Sequence, residues 1–168
     1  DLQFISNKEG DRIVTNRTGN IKVFNKAGDE VQNLPNIPYG ARILKEDEAH
    51  VLPDDKIVQW DPTSSPIIAE VEGVLVYEDI VEGVTMRYDF DPETENRMMV
   101  ITESREERHP RLLICKDDDT AEEMEVLAHY TLSAGTIITR DATDGAKVSV
   151  GQVLGRVPRA RTKSRDIT

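Results

Sequence analysis

Residues 132–158 read LSAGTIITRDATDGAKVSVGQVLGRVP, and their pattern decides the fold. Gly135 opens a β-branched run, a polar loop follows, Val148 opens a turn that holds Gly151, and an apolar run from Val153 ends at Pro158. Short β-branched runs bounded by Gly, Pro and Asp are strands joined by tight turns. The same order occurs earlier as PYGARILKEDEAHVLPDDKIVQWDP at 38–62, with Gly40 and Val51 standing where the later copy has Gly135 and Val148. Upstream of each lies a further pair of matching stretches, RIVTNRTGNIKVFNKAGDEV at 12–31 and RMMVITESREERHPRLLICKDDDT at 97–120. Self-similarity in a fixed order marks a duplication, with a boundary expected near Asp79 to Gly83.

Strands are expected at Arg12–Thr15, Ile21–Asn25, Ala41–Leu44, Lys56–Trp60, Ile67–Tyr77, Thr85–Asp89 and Arg97–Thr102. Turn clusters such as Asp61-Pro62-Thr63, Asp91-Pro92-Glu93 and Asp117-Asp118-Asp119 separate them. Only Thr120–His129 has the character of a short helix. The expected class is therefore all-β, with a first module over 1–80, a second over 81–160 and a basic tail over 161–168. The phrase from Val148 to Leu154 also resembles half of a barrel-sandwich hybrid, the architecture of biotinyl and lipoyl carriers. A carrier needs a Met-flanked Lys at a hairpin tip; Lys22, Lys45 and Lys147 have no such context, so the sequence argues against that role.

Composition narrows the function further. The chain has 168 residues, 32 acidic against 21 basic, and a formal net charge of −11. Free binding to nucleic acid needs clustered Lys and Arg, so the body of the chain is not expected to bind DNA alone. From Arg156 the charge reverses, with Arg156, Arg159, Arg161, Lys163 and Arg165 close together, which reads either as a solvated terminus or as a tail meeting an anionic partner. With Cys115 as the single cysteine, no internal disulfide forms. No apolar run is long enough to cross a bilayer, so no membrane association and a cytoplasmic setting are expected.

Catalytic and metal chemistry find no foothold in the pattern. His50, His109, His129 and Cys115 lack the pair spacing of zinc sites, and the run Asp117-Asp118-Asp119 with Glu122, Glu123 and Glu125 lacks the alternation and mid-loop Gly of a calcium loop. There is no nucleophile elbow and no phosphate loop. Cys115, within LLICK, is expected to pack in the core, and Trp60 to pack in the core or between the modules. No catalytic residue, metal ligand or cofactor is expected in this chain.

Three phrases, IPYGARIL, VQWDPTSSPIIAEVEGVLVYEDIVEG and LGRVPRARTKSRDIT, together resemble one family: the β′ subunit of bacterial DNA-directed RNA polymerase, in the lineage-specific insert that interrupts its trigger loop. Pro38, Tyr39, Gly40 and Ala41 fit one motif of that family. Trp60, Asp61 and Pro62, followed by Pro66-Ile67 and by Glu70 through Gly73, fit a second. Thr162, Lys163, Arg165, Asp166, Ile167 and Thr168 fit the framework leading into the second trigger helix. The likeness is strongest at 38–87 and 150–168 and weakest from about 88 to 127. It implies two tandem sandwich-barrel hybrid modules and a part in modulating elongation, pausing and transcript cleavage. It also implies that the Mg2+ and Zn2+ sites lie elsewhere in the parent subunit, and that the partners are the β, α, ω and σ subunits. DNA and RNA would be met through that assembly, in a nucleoid-associated setting. The alternative is a free-standing biotinyl/lipoyl-like carrier or a β-type interaction module.

Overall fold

A computed structural model describes residues 1–103, 107–118 and 123–159. Its strands, in chain order, are β1 (Phe4–Ser6), β2 (Arg12–Val14), β3 (Ile21–Phe24), β4 (Glu30–Leu34), β5 (Arg42–Ile43), β6 (Val58–Gln59), β7 (Ser64–Ile68), β8 (Gly73–Glu78), β9 (Met86–Asp91), β10 (Asn96–Ile101), β11 (Arg111–Cys115), β12 (Val126–Thr131), β13 (Ile137–Ile138), β14 (Lys147–Val148) and β15 (Val153–Pro158). No helix occurs among the described residues, so the class is all-β. None of those residues forms a helix long and apolar enough to cross a membrane. The strands build four antiparallel sheets, ordered β1-β2-β5-β6, β3-β4, β7-β15-β13-β10-β9 and β12-β11-β8-β14.

Hydrogen bonding repeats between the two halves. The first sheet's pairs β1–β2, β2–β5 and β5–β6 recur as β9–β10, β10–β13 and β13–β15, and the hairpin β3–β4 recurs as β11–β12. Individual bonds match. The Gly40 amide donates to the Val14 carbonyl at 2.8 Å, as Gly135 does to Ile101 at 2.7 Å. Val14 donates to Ala41 at 2.9 Å, as Ile101 does to Thr136 at 2.8 Å; Ile37 donates to Gly19 as Leu132 does to Pro110, both at 2.9 Å.

Three tight turns repeat as well. In each, the third residue has positive φ, the geometry of a type II turn, which glycine adopts without a Cβ clash. The second half puts glycine at all three: Gly135 (φ 91°), Gly145 (φ 86°) and Gly151 (φ 85°). The first half has Gly40 (φ 86°) at the first and the side-chain-bearing Glu48 (φ 65°) and Asp54 (φ 69°) at the others. Even the side-chain support is shared: Asp55 Oδ2 accepts the Leu52 amide at 2.8 Å, and Gln152 Oε1 accepts the Ser149 amide at 3.1 Å.

The halves differ in what they bury. Leu75, Ile101, Leu112, Ile114, Ile138 and Leu154 anchor the larger core, whereas the first half has Val14, Ile37 and Ala41, flanked by half-buried Leu2, Ile21, Leu34, Ile43 and Val58. Two strands account for much of this. β8 pairs with β11 and β14, and β7 pairs with β15. By sheet membership, Ser64–Glu78 therefore goes with the second half, ahead of the boundary expected at Asp79–Gly83. The stretch 67–77, expected as one strand, is divided between β7 and β8.

The expected helix at Thr120–His129 is overturned over its described part. Val126–Thr131 is strand β12, in register with β11 from Arg111↔Thr131 to Cys115↔Val126. Alternation decides: Ala128 and Tyr130 pack toward the core while Leu127, His129 and Thr131 are exposed, a period of two that a helix cannot satisfy and that breaks only at Val126, where the pairing with β11 shifts register.

Because an L-residue in the left-handed region costs roughly 1–2 kcal/mol, the substitution Glu48→Gly is expected to stabilise the chain by about 0.5–1 kcal/mol once glycine's greater unfolded-state freedom is set against it. A urea denaturation midpoint that stays the same or falls would contradict this assignment of the repeated turn.

Candidate functional site

Of the residues singled out from the sequence, Tyr39, Gly40, Trp60 and Asp61 converge where the two halves meet. Pro38-Tyr39-Gly40 is a turn closed by the Ala41 amide donating to the Pro38 carbonyl at 3.1 Å. Gly40 is required there twice over. Its φ is positive, and a Cβ on it would stand 2.3 Å from Pro66 Cγ and 2.9 Å from Pro66 Cδ on β7. A second glycine from the other half answers it: a Cβ on Gly151 would stand 2.4 Å from Asn7 Cβ and 2.9 Å from Asn7 Cα. Between these two contacts the Tyr39 hydroxyl donates to the Ile68 carbonyl at 3.4 Å, a long bond. The join is thus a close fit of glycine backbone against Pro66 and Asn7, and the buried residues Ile13 and Ile68 line the cleft beside it.

Trp60, Asp61 and Pro62 carry the chain from β6 to β7. Asp61 makes the turn by accepting the Thr63 amide at 2.8 Å and the Thr63 hydroxyl at 2.6 Å through Oδ1, and the Ser64 hydroxyl at 3.1 Å through Oδ2. The Thr63 hydroxyl and then its amide hold the Asp61 carboxyl below the usual carboxylate range, with Ser64 and the nearby Arg156 adding to the effect. Trp60 is 45% exposed, so it is not the core residue that one of its expected readings called for; it lines the cleft at the join.

Glu70 and Gly73 serve packing too. The Glu70 amide donates to the Tyr130 hydroxyl at 3.0 Å. Gly73 opens β8 where a Cβ would stand 2.3 Å from the Cys115 carbonyl oxygen and 2.8 Å from Ile114 Cγ2. Cys115 is buried, as expected, and its thiol is pushed up by burial. Thr162, Lys163, Arg165, Asp166, Ile167 and Thr168 lie outside the described residues. Among the described residues no group of three His, Cys, Asp or Glu side chains is placed to hold a metal ion.

Two clefts share Tyr39 and Pro66 in their linings. One, of about 350 Å³, is lined by Trp60, Asp61, Arg42, Arg156 and Arg159 among others; the second, of about 530 Å³, by Arg17, Tyr39, Tyr130, Val157 and Arg159. Tyr39 belongs to both. Its hydroxyl is pushed up to about 12 by burial and by the negative charge of Glu70, against which the Arg17 guanidinium, 5.8 Å from the ring centre, acts in opposition. Burial raises Tyr130 as well. Sequence reasoning missed Asn7, Arg17 and Tyr130 as parts of this join. Asn7 carries no local signal, because it is the Gly151 backbone that selects it from across the fold.

Fold and join define an all-β segment with a repeated pattern of strand pairing, whose distinctive residues form turns and close contacts between its halves. No family model matches the chain. Across its whole length, however, it is similar to β′ subunits of DNA-directed RNA polymerase: 38% identical over 172 residues to that of Syntrophobacter fumaroxidans, 38% over 175 to that of Desulfosudis oleivorans, and 36% over 177 to that of Coxiella burnetii. Each match covers 100% of this chain and 12% of the relative. The chain belongs to the β′ subunit family and corresponds to a short segment of its full-length members.

Two measurements test the join. Gly40→Ala adds a methyl where Pro66 stands and strains a positive φ, so a loss on the order of 1–3 kcal/mol is expected in urea denaturation, and an unchanged midpoint would show the contact to be slack. The second concerns alkaline pH. Folded Tyr39 keeps its proton to about 12 while the unfolded chain releases it near the ordinary 10.0, so its contribution is complete below pH 10 and is lost as pH rises toward 12. Tyr39→Phe should therefore flatten the fall in stability across that window, whereas parallel pH profiles for the two proteins would contradict the burial of Tyr39.

Proposed function

We propose that this chain is the insert within the trigger loop of a β′ subunit and that it acts in DNA-directed transcription by biasing the folding of that loop. The observation that carries the reading is the scale of the match: 100% of this chain corresponds to 12% of each relative, as a module interrupting a larger subunit would. The phrases Pro38–Gly40 and Trp60–Pro62, which mark the family likeness, fall together at the join of the halves, which supports taking the two phrases as one inherited structural element. On this reading each half is a sandwich-barrel hybrid module, and residues 161–168 lead back into the loop.

Mechanically, an insert carried on a gating loop must move as the loop closes over substrate. Any surface it touches in one position only shifts the open-to-closed ratio by the free energy of that contact, about tenfold for ~1.4 kcal/mol. The glycine contacts at the join let both halves move as one body, so a contact made by either half is felt at the loop. Elongation rate, pausing and transcript cleavage would change, while the chemistry and its Mg2+ stay with the rest of the polymerase. Partners are then the β, α, ω and σ subunits in the assembled enzyme, with DNA and RNA met through it.

Removing the segment equivalent to residues 1–160 from the parent polymerase tests this. Altered pause lifetimes and elongation rates are expected; a deletion enzyme with unchanged values for both would sink the proposal.

A further inference from the structure

The chain is acidic by 32 residues to 21, yet the two clefts at the join run against that balance. Their linings contain four arginines, Arg17, Arg42, Arg156 and Arg159, and one acidic residue, Asp61. Asp61 has both carboxylate oxygens engaged by Thr63 and Ser64. Arg42 has an ion-pair partner, Asp11, at 3.7 Å. Among the described residues, Arg17, Arg156 and Arg159 make no ion pair: Arg17 rests over the Tyr39 ring and Arg159 Nε donates to the Ser65 hydroxyl at 3.2 Å. All three are exposed. Beside the guanidinium groups lie apolar and aromatic surfaces, Trp60 in one cleft, Tyr130 in the other, and Tyr39 and Pro66 in both.

We infer that the two clefts form one docking surface for a short acidic segment of a partner protein, whose carboxylates meet Arg17, Arg156 and Arg159 and whose apolar side chains rest on Trp60 and Tyr39. Guanidinium groups bind carboxylates through paired hydrogen bonds and gain strength beside apolar surface, where water is partly excluded. A short segment is favoured over a nucleic-acid duplex by the rest of the chain's charge. Duplex DNA carries a charge every ~1.7 Å along its axis, so it would extend past the clefts into the field of a body of net charge −11. Two or three carboxylates on a peptide stay within the reach of the arginines. Glu70, which bears on Tyr39 and Tyr130, sets a limit on how many negative charges the second cleft accepts. The inference rests on the arginines and the clefts and is independent of the trigger-loop reading.

The test uses the complete 168-residue chain and three fluorescein-labelled probes: a short peptide alternating Glu with Leu, the same peptide with Gln for every Glu, and a short DNA duplex. Anisotropy should show binding of the Glu peptide that weakens as salt is added, with a change in Trp60 emission. The double variant Arg17→Gln, Arg156→Gln should bind it about tenfold more weakly while keeping its urea midpoint, and Arg87→Gln, on β9 and paired with Asp89, should bind as the parent does. Equal binding of the Gln peptide, tighter binding of the duplex, or equal weakening by Arg87→Gln would each overturn the assignment.

Discussion

Where Gly40 meets Pro66 there is no room for a methyl group, and the same is true where Gly151 meets Asn7. At these two approaches, one from each half of the chain, a glycine lets the backbone lie directly against the Pro66 ring or against Asn7. Much else in the molecule depends on that constraint. Gly40 lets the turn sit against β7, where the neighbouring Tyr39 hydroxyl donates to the Ile68 carbonyl. The clefts to either side exist because the contact is narrow, and Trp60 and the arginines line what the contact leaves open.

The repeated pairings make the asymmetry of the join visible. Both halves make the same turn before the strand that opens with Gly40 or Gly135, but only Gly40 abuts the other half; Gly135 has nothing within 4 Å of where its Cβ would be. The second half also has β7, β8 and β14 around a larger core, while the first has a small one of Val14, Ile37 and Ala41. Burial is the main stabilising term for units of this size, and the small core of the first half is covered by its own Leu2, Ile21, Leu34, Ile43 and Val58.

Legibility from sequence followed the range of the interaction involved. The repeat was readable because Gly40 and Gly135, and the valines Val51 and Val148, are local demands of turn and strand, and local demands leave residues in a fixed order. Glu48 and Asp54 hid part of it, since a turn position with positive φ is recognisable by its glycine and the first half has none there. The helix expected at Thr120–His129 failed because pairing with β11 fixes Val126–Thr131 in a strand, a long-range effect invisible to local propensity. Motif residues such as Tyr39 and Trp60 were identifiable through family likeness, but their convergence on one join was not: Asn7, Pro66 and Gly151 lie far apart in the chain. Charge gave an incomplete guide for a similar reason. A net value of −11 describes the surface as a whole and conceals four arginines gathered at one place.

Rigidity of the join is the central requirement, because a loose one would neither shape the clefts nor transmit load from one half to the other. Backbone 15N relaxation on the 168-residue chain tests that directly by reporting how each half tumbles. One rotational diffusion tensor should describe the amides of β1–β6 and those of β7–β15 together. Two separate tensors, with the first half tumbling faster than the second, would contradict it.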